Sequence, residues 1–497
     1  MVTSSPYLTE RSVDIKWWIK QIKKDFEKKY LPVIQEYLKE PSISATGEGI
    51  QETAEMTAKF LANLGAANIQ IVPTKGWPVV YGEILKDPKK PTVLFYSMYD
   101  VQPVESEKWI VPPFSAAIVE DFEGMGRSIV ARGVINTKGP TMAFFQTLQT
   151  VINSGKDLPV NFVFVIEGEE ELGSLHFPDF VNSYSEKLKQ ADLVYFPSFS
   201  ESLNGHIKIV LGCRGIIYFK IWIQGGDWGG PRSRNIHSSL ASFVDSPTWK
   251  LIDLISKMRA SSGKILIPGI YEKVQPISEE DKQMINDLVK KLDLEEFKKM
   301  IDVNKLYSDE NQKEMSKEQM IVKLFEPCLT VDGIISGYTD EKGSKTVLPS
   351  SAFSNMDIKL VPNMEVEDIR NKIRNFIMEN APEAKLEIEE GYKWAKMSPL
   401  NPYIKIHIET LRSTNKKIEI WPMGTGSAPF YIFQEKFGIP VLDGGLGHGS
   451  RAHSPNEFAF LKSKTGAGGI IDFEISVAKL LTKLGEVGKI KNDKFIQ

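Results

Sequence analysis

Apolar positions early in the chain recur at three- and four-residue spacing. Ile15, Ile19, Ile22, Phe26 and Tyr30 fall on one face of Val13–Glu40, which predicts an amphipathic helix stopped by Pro41-Ser42-Ile43-Ser44. Gln51–Leu64 reads as a second helix. Short apolar runs follow at Ile69–Pro73, Val79–Ile84, Thr92–Ser97, Asn161–Ile166 and Leu193–Phe196, each of strand length, and Pro140–Ile152 reads as a helix between them. Strand–helix–strand alternation predicts an α/β fold, a largely parallel sheet with helices on both faces. Chemistry in such sheets sits beyond the carboxyl ends of the strands. That places interest after Tyr96, at Ala131–Gly139 and after Ile166.

The texture changes at Gly212. Ile216–Ile223 (IIYFKIWI) reads as a strand, Ser239–Arg259 as a helix and Ser344–Leu360 as further strand. Ile277–Phe325 is highly charged and reads as exposed helix, and Pro362–Asn380 as a last helix. From about Met397 the first texture resumes through Asn401–Thr414, Ile418–Trp421 and Phe430–Phe437, closing with a helix over Gly466–Leu484. The expected organisation is a first domain over 1–211, an inserted α+β domain over 212–395, and the rest of the first domain over 396–497.

The remaining bulk properties mainly exclude. The net charge is 61 − 64 = −3, which argues against nucleic acid or an anionic membrane as the main partner. No run of apolar residues is long enough to span a bilayer. The first residues (MVTSSPYLTERS) lack the basic-then-apolar order of a secretory signal. Cys213 and Cys328 are the only cysteines, too few for a disulfide framework or a thiolate metal site. The expectation is a soluble cytoplasmic protein.

One stretch stands apart. Glu167-Gly168-Glu169-Glu170-Glu171-Leu172-Gly173-Ser174 brings four carboxylates to the end of a buried strand. Like charges this close repel unless a cation or a shared proton offsets them. It reads either as a solvated acidic turn or as adjacent carboxylates, one holding a metal and one moving a proton.

With this stretch, several others in order along nearly the whole chain resemble the co-catalytic zinc exopeptidases of the aminoacylase, carnosinase and carboxypeptidase G type. They are Ser97-Met98-Tyr99-Asp100-Val101-Gln102-Pro103, Arg132–Gly139, Glu170–Ser174, the segment ending Phe196-Pro197-Ser198, and Ala452-His453-Ser454-Pro455-Asn456-Glu457. Asn235–Ser239, Gly343–Pro349 and Lys359–Asn363 match in the inserted domain. The resemblance implies a zinc-exopeptidase-like sheet, an inserted lid carrying a dimer interface, and a two-metal site at the strand ends.

Position by position, that implied site is incomplete. The family's first metal would be held at Met98, Asn136 and Ser198, all substituted. The second would be held at Asn136, Glu171 and His453, of which two keep their ligand type. Asp100, which the resemblance implies orients the first histidine, and Glu170, the implied general base, remain. Two divalent ions about 3.5–4 Å apart need bridging and ligand anions. Methionine sulfur suits Cu(I), not Zn(II) or Mn(II). The expectation is no metal, or one weakly held Zn, Mn or Co on Glu171, His453 and the Asn136 carbonyl.

In the inserted domain the resemblance assigns His237 to a neighbouring subunit's site, where it stabilises an oxyanion in trans. Lys359 stands at the family's substrate-carboxylate arginine, and Gly426-Ser427 in its substrate loop, while Met423 replaces an arginine of carnosinase-type members. His448 reads as a loop contact, and His176, His206 and His407 have no pattern around them. Three functions follow. The first is an inactive homologue acting as a dimerising or regulatory partner, as a homodimer or with an active relative. The others are a residual single-metal hydrolase of dipeptides or N-acyl amino acids, and a metal-free binder of small peptides or amino acids.

Overall fold

The structure is a computed structural model that describes residues 8–104, 108–308, 313–340 and 343–490. It divides into two compact units: one of residues 1–211, 397–420 and 432–497, the other of 212–396 and 421–431.

The first unit is built on six strands: β1 (Ala67–Val72), β2 (Val79–Ile84), β3 (Thr92–Met98), β4 (Asn161–Glu167), β5 (Leu193–Phe199) and β6 (Val441–Gly445), in the order β1-β2-β4-β3-β5-β6. β4, β3, β5 and β6 pair in parallel. β1 and β2 pair antiparallel, and so do β2 and β4. The sheet is therefore mixed, where the pattern of apolar runs predicts a largely parallel one. Every residue of β3 and β4 is buried, as a sheet covered on both faces requires. Phe95 of β3 stacks on Phe144 of the helix Lys138–Asn153 at 4.3 Å. That helix packs in turn against Ile470–Val487. The same unit holds a small antiparallel sheet of Ala117–Val119, Gly126–Val130, Gly449–Ser450 and Phe458–Ser463, which the apolar pattern misses, two of its strands being only three and two residues long.

The second unit carries a four-stranded antiparallel sheet, ordered Cys328–Ser336, Ser351–Leu360, Gly215–Gln224, Lys385–Ile388. The helices Pro247–Met258 and Val366–Asn380 cover one face. Leu251, Leu254, Ile369 and Ile373 pack there on Phe219, Ile221, Met356 and Ile358. The predicted helix over Ser239–Arg259 is shorter because Ser246 caps it late, accepting from the Trp249 N–H. The charged stretch 277–325 folds into the short helices Glu279–Lys291, Leu294–Met300 and Lys317–Val322. Cys328–Ser336 is an edge strand, and Ile334 and Ile335 on it are exposed. Among the described residues no helix is long and apolar enough to cross a membrane.

Candidate functional site

The acidic stretch takes its shape from Asp100. Its fully buried carboxylate accepts the backbone N–H groups of Glu170 (3.2 Å) and Glu171 (3.0 Å), capping the short turn Glu170–Leu172 beyond β4. Burial first, and the Glu171 charge second, push Asp100 up to about 7. Burial and the charges of Glu171, Asp100 and Glu167 hold Glu170 well above the usual carboxylate range. Of the two readings of this stretch, the one as a solvated acidic turn does not describe it.

Glu171 is held from three sides. Its Oε1 accepts from the Asn136 amide at 2.8 Å and its Oε2 from the Gln102 amide at 2.9 Å. His453 Nε2 lies 3.1 Å from Oε2, and this carboxylate holds the His453 pKa above 6.5. The Asn136 amide nitrogen is also 2.9 Å from His453 Nε2. Positions 136, 171 and 453 thus close on one another, with an amide where the family pattern has an anion.

The loop bearing Asn136 is pinned by Glu457. This buried carboxylate accepts N–H groups from Gly133 (3.0 Å), Ile135 (2.9 Å) and Asn136 (3.3 Å), and pairs with Arg132 at 3.2 Å, both side chains 1% exposed. Met98 is buried at the end of β3. On β5, Ser198 donates to Asp443 Oδ1 of β6 at 2.6 Å, and burial pushes Asp443 up to about 6.

The residue reading assigns no role to Gln102, Glu457 or Asp443. Gln102 and Glu457 lie inside motif stretches. The only trace of Asp443 is one acid in the apolar run Val441-Leu442-Asp443.

The residues of the second unit are described by themselves. His237 is exposed, its Nδ1 2.8 Å from Ser239 Oγ and its Nε2 3.4 Å from Thr346 Oγ1. Lys359 Nζ lies 3.3 Å from Asp357 Oδ1 and over the Tyr218 ring. Gly426 accepts the Arg214 N–H through its carbonyl, and the Ser427 hydroxyl is buried with no hydrogen bond to a described residue. Met423 is fully buried. Among the other histidines, His448 is a buried loop contact, its Nδ1 2.7 Å from the Glu201 carbonyl, and His176 Nδ1 meets Glu169 at 2.9 Å.

Residues 94–464 match the model of Peptidase family M20/M25/M40. The chain belongs to this family. The M20 family metallo-carboxypeptidase Sso-CP2 from Sulfolobus solfataricus is similar at 32% identity and TM-score 0.81, over 93% of this chain and 100% of that one. Human carnosine dipeptidase 1 shares the fold, with 24% identity and TM-score 0.78 over 95% of this chain and 100% of that one. The Beta-Ala-His dipeptidase of Rattus norvegicus is 32% identical over 310 residues, 61% of this chain and 58% of that relative, so the match spans under two thirds of its length. The Cys-Gly metallodipeptidase DUG1 of Candida albicans is 28% identical over 464 residues, 87% of this chain and 91% of that relative.

Two of these relatives carry a metal in their names, so the donor set here has to be tested against one. At the five positions that the resemblance implies as ligands, 98, 136, 171, 198 and 453, this chain offers a thioether, an amide, a carboxylate, a hydroxyl and an imidazole. Among the described residues no group of three or more His, Cys, Asp or Glu side chains is placed to hold a metal ion. An amide nitrogen aimed at Glu171 and His453 presents donors, not lone pairs, to the space a cation would take. The residues do not fit a two-metal centre.

Proposed function

We propose that this M20 family member does not assemble the two-metal hydrolytic centre and works as a non-hydrolytic partner. In this reading it pairs through its second unit with another chain of the same fold. The observation that carries it is the Asn136 amide, which binds Glu171 and faces His453 where a bridging carboxylate would be needed. The hydrogen bond that Ser198 gives to Asp443 and the buried Met98 support it at the other position. The partner surface rests on the edge strand Cys328–Ser336, whose outer backbone groups are open to strand pairing. Trp249 and Tyr338 line a cavity of about 550 Å³ in the same unit, with Ser336 and Leu348. His237, exposed there, is the residue such a pairing would lend to an active relative.

The test is a hydrolysis screen of dipeptides and N-acyl amino acids, run with the protein supplemented with Zn, Mn or Co. No metal-dependent turnover is expected. Turnover abolished by a chelator would overturn the proposal. It would favour a second reading, a single-metal hydrolase on Glu171 and His453, which the 3.1 Å approach of those two side chains supports. A metal-free binding role with Lys359 as carboxylate anchor is less well supported, since Asp357 already occupies that ammonium group.

A further inference from the structure

Arg214 is a buried cation that forms no ion pair with any described carboxylate. It is 7% exposed, and its guanidinium, charged at any working pH, donates from Nη2 to the Lys323 carbonyl at 3.0 Å and from Nη1 to Cys328 Sγ at 3.2 Å. Its Nε is buried without a partner. Burying a guanidinium is costly unless an anion faces it. Of the two described groups to which the guanidinium donates, the Cys328 sulfur is the one that can become an anion. Cys328 is partly exposed and in no disulfide. Lys359, opposite it on the neighbouring strand, is held by Asp357, which leaves Arg214 as the cation on the sulfur. A partly exposed cysteine beside a fixed positive charge is the setting of reactive thiols.

We propose that Cys328 is a thiol modification site for low-molecular-weight disulfides, anionic ones above all, with Arg214 as its positioning residue. The sulfur loses its proton to solvent and attacks one sulfur of the disulfide. That S–S bond breaks, a new one joins Cys328 to the attacked half, and the other half leaves as a thiolate. Cys328 is oxidised and the departing half reduced, so no other oxidant is needed. The product carries a small thiol at the first residue of an edge strand.

The experiment treats the full chain at neutral pH with 5,5′-dithiobis(2-nitrobenzoate), an anionic disulfide. It follows thiolate release and maps the modified peptide by mass spectrometry. A Cys213→Ser background isolates the Cys328 rate. The expected result is a fast phase on Cys328 in the native chain, faster than the same cysteine in the urea-unfolded chain. Arg214→Met should slow it about tenfold or more, and Arg214→Lys less. A native rate no higher than the unfolded rate overturns the proposal, as does an unchanged rate in folded Arg214→Met. If that variant does not fold, the native-to-unfolded comparison decides alone.

Discussion

An amide in place of a carboxylate changes both charge and hydrogen-bond direction at position 136. The ordinary reversal is Asn136→Asp with Met98→His and Ser198→Asp. At position 198, however, a new carboxylate would stand where Ser198 now touches Asp443 at 2.6 Å. Two carboxylates at that distance cannot both ionise without a cation. The triple variant is therefore expected to bind metal weakly, and the same variant with Asp443→Asn about tenfold or more tightly. Equilibrium dialysis against Zn checks this; equal affinity would show that Asp443 does not oppose the restored ligand. Residue chemistry also sets a pH response. His407 and His448 are neutral in the fold, burial pulling each down to about 4 from 6.5. Protonation then favours the unfolded chain. Their contribution to stability is complete above about pH 6.5 and is lost as pH falls from there toward 4. Asp100 and Asp443, pushed up to about 7 and about 6, act in the opposite direction over the same range, so the expected readout is a difference: between pH 7 and 5 the denaturation midpoint of the native chain should shift downward relative to that of His407→Gln.

Glu457 shows how one side chain organises an element. It gathers three N–H groups of the loop 133–136 and neutralises Arg132, all out of water. Glu457→Gln removes the buried negative charge that faces Arg132 and one acceptor of the loop N–H groups, so a loss of ~3–5 kcal/mol is expected in urea unfolding. A loss under about 1 kcal/mol would mean the loop holds itself. The strands were legible in the sequence for a simple reason. β3 and β4 are buried on both faces, so their residues are an unbroken apolar run. Val79–Ile84 and Ile418–Trp421 fall where the apolar pattern puts them. Direction was not legible, because an apolar run is the same read parallel or antiparallel, and β2 runs against its neighbours. Strands of two and three residues, such as Gly449–Ser450 and Ala117–Val119 in the sheet around Phe458–Ser463, leave too little alternation to see. In the site, Glu170 and Glu171 stand out as a run of acids at a strand end, whereas Asp100, Asn136 and His453 are singled out only by the family resemblance. Glu457 and Gln102 carry the same motifs, but what they hold depends on loop geometry that no periodicity records.

At the scale of the whole molecule, the chain keeps the M20 architecture, and the proposed function lies in what its strand ends carry. The six-stranded sheet still delivers Met98, Glu171 and Ser198 to the carboxyl ends of β3, β4 and β5. The edge strand of the second unit exposes Ile335 at 63% and Ile334 at 48%. If another chain pairs there, Ile335→Lys should convert the assembled form to monomer in native mass spectrometry. An unchanged mass distribution would place the partner surface elsewhere. That the strand ends carry too few anions to hold a pair of divalent ions is tested most directly by calorimetric titration of the unmodified chain with Zn after chelator treatment. Binding of less than about 0.1 equivalent is predicted. A titration that saturates at about two equivalents would contradict it.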